Sequence, residues 1–111
     1  MALEIVVKSA DQKPVLELTG KIVDVDVKKF QHKMDNMYKT KDLERIVVDV
    51  TKADFIDSHG LGVIVYFHTL LQKEKRSLVI LNANPDQNSY LNRLFEVTNL
   101  DKVLTIVCNI D

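Results

Sequence analysis

Five residues in the middle of the chain, Ile46-Val47-Val48-Asp49-Val50, restrict the fold more than any other stretch. β-branched side chains suit a pleated strand, and a nearly unbroken apolar run suits a central strand covered on both sides by helices. The flanking sequence is organised to match. Two shorter runs precede it, Leu3 to Lys8 and Val15 to Leu18, separated by Ser9-Ala-Asp-Gln-Lys-Pro14, whose polar residues and proline predict a hairpin turn. Gly20 is expected to end the second run. Asp24 or Asp26 then offers an N-cap for a helix in which Val27, Phe30, Met34, Met37 and Tyr38 recur at three and four. After the central run, Gly60 to Lys75 has helical apolar spacing, and Leu78 to Leu81 reads as another buried strand. Asn84-Pro85 reads as a cap with proline at the first helical position, opening a helix that turns Leu91, Leu94 and Phe95 inward. Val103 to Val107 supplies a last short strand. Two leading strands followed by alternating helix and strand predict an α/β layered domain: a mixed, mainly parallel sheet of about five strands with helices packed on it.

Composition narrows the function classes. With 111 residues, 46% hydrophobic and 28% charged, residues 1–111 fit a single domain large enough to bury a core without staples. Fifteen Lys and Arg nearly cancel sixteen Asp and Glu, so no overall field draws the chain directly onto nucleic acid or anionic lipid. The one cysteine, Cys108, cannot form an internal bridge and is expected to be an inert buried thiol, while His32, His59 and His68 are scattered and no metal site is expected. A start without a basic-then-apolar leader, and the lack of a run long enough for a membrane helix, point to a cytoplasmic protein with no membrane insertion.

Ligands and partners of such sheets meet the loops at the carboxyl ends of the parallel strands, so the segment after Val50 carries the functional reading. There Asp57-Ser58-His59-Gly60 leads a strand into a helix. The plain structural reading makes Ser58 the N-cap, its oxygen accepting a backbone N–H of the first turn; a capping serine and a functional serine are compatible. At about 100° per residue, Val63, Ile64, Phe67, Leu70 and Leu71 share one core-facing arc. Leu61 and Val65 fall on a second stripe with Ser58 and Thr69, and Gly62 alongside offers no side chain. Unless another element covers Leu61 and Val65, this is a small docking surface centred on a hydroxyl.

Enzyme readings of these residues fail on geometry. Asp57, Ser58 and His59 are the residue types of a hydrolase triad, but neighbours along a chain point in different directions. A nucleophile elbow needs glycine two residues before the serine, where Ile56 stands. Gly60-Leu-Gly62 lacks the third glycine of a dinucleotide loop. No catalytic residue and no cofactor is therefore expected.

Asp54-Phe-Ile-Asp-Ser-His-Gly-Leu-Gly-Val-Ile resembles the signature of the bacterial anti-sigma factor antagonists, the stand-alone members of the STAS (sulfate transporter and anti-sigma antagonist) domain family. Leu18-Thr-Gly20 is similar to the family's second strand and closing glycine, Ile46 to Val50 to the strand before the signature, and Asn92 to Val103 to its third helix and following turn. The resemblance implies a STAS-like fold over nearly the whole chain. It also implies that Ser58 is phosphorylated by a partner anti-sigma factor, a serine kinase that brings its own ATP, and that a serine phosphatase reverses the modification. Asp57 matches the acidic residue that supports recognition or phosphoryl transfer, and Leu61, Gly62 and Val65 match positions on the helix that docks on the kinase; His59 lies among them. Val23 stands where many relatives have an acidic residue, leaving Asp24 as its stand-in, and Asp26 stands at a frequent threonine position. The fourth helix of longer relatives is expected to be very short or missing. On this reading the unphosphorylated protein captures an anti-sigma factor and releases a sigma factor. A constitutive STAS interaction subunit of a transporter or signalling complex, with Ser58 merely a cap, is the alternative; a small hydrolase using Ser58 comes last.

Overall fold

The computed structural model describes residues 3–10 and 13–109. The elements run β1 (Glu4–Ala10), β2 (Lys13–Ile22), α1 (Val25–Lys39), β3 (Arg45–Ile56), α2 (Ser58–Lys73), β4 (Ser77–Leu81), α3 (Tyr90–Val97), a single 3₁₀ turn (Leu100–Lys102) and β5 (Thr105–Val107). Strand order in space equals order in sequence, β1-β2-β3-β4-β5. β1 and β2 are antiparallel, and every later pair is parallel. The expected mixed, mainly parallel α/β sheet is thus present, with the β-branched run at its centre.

The helices do not cover that central strand on both sides. When parallel strands are added in one direction by right-handed crossovers, every crossover helix lands on the same face. The packing agrees: one cluster joins Phe30 and Met34 of α1, Ile64, Phe67 and Leu71 of α2, and Leu91 and Phe95 of α3 to Leu16, Leu18, Ile46, Val48, Val50, Leu78 and Ile80. These strand residues alternate along the chain, as side chains on one face of a strand must. Val47 and Val79 point the other way and lie outside the cluster, yet are only 1% and 7% exposed. They sit side by side in register on the helix-free face. There Glu17 draws in the ammonium groups of Lys8 and Lys52, at 2.9 and 3.9 Å.

Several boundaries differ from the sequence reading for identifiable reasons. Gly20 does not end β2; with φ at 100° it sits at a register shift between β2 and β3, and the strand continues to Ile22. β3 likewise runs past Val50 to Ile56. Asn84-Pro85 does not open α3. Asn84 and Asp86 side chains fold the loop onto itself by accepting the N–H groups of Asp86 (3.0 Å) and Asn88 (2.9 Å), and Ser89 caps the helix by accepting from Asn92 N–H. Cys108 is exposed, not buried, because β5 stops at Val107 on the sheet's edge. No helix follows β5 among the described residues, and no described helix is long and apolar enough to cross a membrane.

At the amino-terminal ends of β3 and β4, buried Arg76 ties the layers together. Its guanidinium donates to the carbonyls of Leu43, Tyr38 and Thr40 at 2.8–3.0 Å, and to Glu74. A planar fork of five donors suits such a cluster of helix-end and loop acceptors.

At the opposite end, the start of α2 is pressed against β2 and β3. A Cβ built on Gly60 would stand 2.8 Å from Ile56 Cγ1, 2.9 Å from Ile22 Cγ2 and 3.2 Å from the Ile22 carbonyl. Gly60→Ala is therefore expected to destabilise the fold by about 1–3 kcal/mol through overpacking, measured by urea denaturation.

Candidate functional site

The cap of α2 is Asp57 and not Ser58. Asp57 is extended (φ −86°, ψ 178°), and its Oδ1 accepts the Gly60 N–H at 2.9 Å. A carboxylate at the positive end of a helix makes a charge-assisted bond, so it outcompetes a hydroxyl one residue later. The same residue ties the start of α2 to the junction between β2 and α1. Its Oδ2 accepts the Asp24 N–H at 3.2 Å, its N–H donates to the Ile22 carbonyl at 3.1 Å, and its carbonyl accepts from Leu61 N–H at 3.0 Å.

Electrostatics follow from this geometry. The Gly60 N–H, ahead of those of Asp24 and His59 and the nearby His59 ring, holds the Asp57 carboxyl below the ordinary aspartate value, against the opposing effect of partial burial. Asp57 is thus an anion engaged by backbone donors, and its hydrogen bonds do not run to an imidazole.

Ser58 becomes the first residue of α2, and it is exposed with its hydroxyl released from capping. His59 and Gly62 are exposed beside it, and a Cβ on Gly62 would meet nothing within 4 Å. Leu61 and Val65 are half-buried; Leu61 leans against the edge of the core, so the second stripe is partly covered. One turn further on, Tyr66 is 55% exposed and extends the same surface.

Asp24 comes into the site through its backbone. It is the exposed residue preceding α1, its φ of 53° and ψ of −125° lie outside the common regions, and its side chain makes no capping bond. The bond from its N–H to Asp57 holds it there. A groove of about 420 Å³ between α1 and α2 brings Asp24, Lys28 and His59 together over Val27 and Val63. Asp24, 33 positions from Asp57, thus joins Asp57, Ser58, His59, Leu61 and Gly62 at the start of α2, while Val65 lies about two turns along the helix from Ser58.

Two aromatic residues escaped the sequence reading. Phe55 and Tyr90 stack with ring centroids 4.6 Å apart and planes at 24°, both partly exposed, and the Tyr90 hydroxyl donates to the Ile56 carbonyl at 3.2 Å. The signal available was Ser89, the true cap, which starts α3 at Tyr90 and aims that ring at the end of β3.

Comparison with known proteins places this arrangement. The STAS domain family profile matches residues 4–111. An anti-sigma F factor antagonist from Paenibacillus polymyxa is 25% identical over 95 residues, covering 86% of this chain and 78% of that protein. An anti-sigma factor antagonist from Mycobacterium paratuberculosis superposes with a TM-score of 0.82 at 19% identity, over 98% of this chain and 88% of that one. The Bacillus cell fate determinant SpoIIAA in its phosphorylated form superposes with a TM-score of 0.70 at 16% identity, over 96% and 93% of the two chains. The sheet with its three helices is the fold these structures share.

Removing the Asp57 carboxylate tests its structural role. Asp57→Ala is expected to lower stability by about 0.5–2 kcal/mol near neutral pH. Because the folded-state pKa is depressed, the stabilisation is fully present above the unfolded value of about 3.9 and disappears as pH falls through the folded one. Denaturation of both proteins at neutral and acid pH should show the gap closing on the acid side.

Proposed function

The chain belongs to the STAS domain family, and on that premise we propose that it acts as an anti-sigma factor antagonist switched by phosphorylation of Ser58. Unphosphorylated, it docks the start of α2, with Asp57, His59, Leu61, Gly62, Val65 and Asp24 around Ser58, onto an anti-sigma factor and frees a sigma factor. The partner is a serine kinase that carries ATP. It transfers the γ-phosphoryl group to Ser58 Oγ, which loses its proton, and ADP leaves; a serine phosphatase hydrolyses the ester and restores docking.

The observation that carries this reading is the division of labour between Asp57 and Ser58. Asp57 holds the helix start, so chemistry on the exposed Ser58 hydroxyl leaves the fold's own bonds intact. A phosphate there adds about −1.5 to −2 charges at the positive end of a helix, which favours it by about 0.3–1 kcal/mol. Docking responds in the opposite sense. The phosphate stands beside the Asp57 anion, and bringing both against a partner requires stripping a hydrated dianion of water. Each ~1.4 kcal/mol of that cost weakens binding tenfold, so a few kcal/mol make an effective off state.

Incubation with the partner kinase and ATP, followed by intact mass and peptide mapping, should show one phosphate, on Ser58; an unmodified Ser58 would overturn the switch. Ser58→Asp should weaken partner binding by at least about tenfold while leaving the melting temperature nearly unchanged. Parallel loss of binding and stability would instead mark Ser58 as a structural residue. Gly62→Ala separates the surface from the fold: replacing an open helical glycine should raise stability by up to about 1 kcal/mol. The added methyl group should nevertheless reduce affinity for the anti-sigma factor in a binding titration, and unchanged affinity would remove Gly62 from the docking surface.

A further inference from the structure

β1 forms one edge of the sheet, and no described strand pairs with its outer side. The other edge, β5, has three residues, and so short an edge resists further pairing. β1 has seven residues, no proline and an unbroken register against β2, and its Val6 and Val7 are 46% and 49% exposed. β1 lacks the bulges, prolines and short length that protect many edge strands, and its charged residues, Glu4 and Lys8, are of opposite sign.

Pro14 determines which backbone groups of β1 face outward. It lies opposite Ser9 and has no N–H to donate. Hydrogen-bonded and non-bonded pairs alternate in an antiparallel ladder, so Ser9↔Pro14 is a non-bonded pair, and Lys8↔Val15, Val6↔Glu17 and Glu4↔Thr19 are bonded ones. Ile5 and Val7 therefore turn their N–H and C=O groups away from β2.

The five residues Glu4-Ile-Val-Val-Lys8 are self-complementary about Val6. A second copy laid antiparallel, Val6 against Val6, brings each Ile5 opposite a Val7, the two residues whose backbone groups face outward. It also brings each Glu4 opposite a Lys8, on the same face as Val6. Sliding by one position sets outward-facing groups against inward-facing ones, and sliding by two breaks both charge pairs. Lys8 already meets Glu17 at 2.9 Å but is 61% exposed, and its ammonium has donors for both carboxylates. We propose that β1 is a homodimerisation edge, two copies pairing antiparallel about Val6 to make one sheet across both. The pairing uses none of the residues around Ser58, so it stands or falls separately from the proposed switch.

Sedimentation velocity over a concentration series from micromolar to millimolar tests it. The unaltered protein should show a reversible monomer–dimer equilibrium. Glu4→Lys and Lys8→Glu should each weaken it about tenfold or more by setting like charges opposite each other, and an equimolar mixture of the two variants should recover a heterodimer. Val7→Pro should give a monomer with unchanged circular dichroism, since it removes an outward N–H and spares the bonds to β2. Should that variant fail to fold, the charge pair and its mixture decide. A wild-type monomer throughout the series, or a dimer that neither charge variant weakens, would overturn the proposal.

Discussion

Everything at the candidate site depends on the hydrogen bonding of Asp57. Its carboxylate and backbone engage Gly60, Asp24, Ile22 and Leu61, so the end of β2, the entry to α1 and the start of α2 are held as one unit. The carboxyl is held below the ordinary aspartate range chiefly by the Gly60 N–H, and then by that of Asp24. An ionised acceptor satisfies the helix's free donors more strongly than a hydroxyl does. That leaves Ser58 exposed and unoccupied by structural work, the condition a modifiable hydroxyl requires.

Helix α2 then separates two environments within a single turn. Gly60 faces inward, where the Ile22 and Ile56 side chains leave no room for a methyl group, and Gly62 faces outward into open space. The first glycine lets the helix start lie against the strands. The second carries the conformational cost of a helical glycine with no packing gain inside this domain. Since all three crossover helices share one face of the sheet, this helix start stands at the border between a thick packed layer and the loops at the strand ends.

Much of the fold was legible because it rests on local periodicity. Val27, Phe30, Met34 and Met37 marked the buried face of α1, and the Ile46–Val50 run marked the central strand. Features set by contacts between distant segments were not legible. The one-sided placement of the helices comes from strand order, which the β-branched run alone could not report, since Val47 and Val79 are as apolar as their core-facing neighbours. The start of α3 was misplaced because Asn84 and Asp86 spend their side chains on loop N–H groups, leaving Ser89 to cap the helix.

For the site, the sequence alone determined the cluster: a polar Asp57-Ser58-His59 entry to a helix, two glycines after it and an aliphatic stripe at helical spacing, all within one short segment. Those relations are local, and helix geometry converts spacing directly into direction. The tertiary structure alone decided which of two adjacent oxygen-bearing residues caps the helix, that Asp24 joins the site through its backbone N–H, and that Phe55 and Tyr90 stack beside it. Each of these depends on donors and rings brought together from separate elements, and competition among such groups is settled by distance and charge in the folded chain.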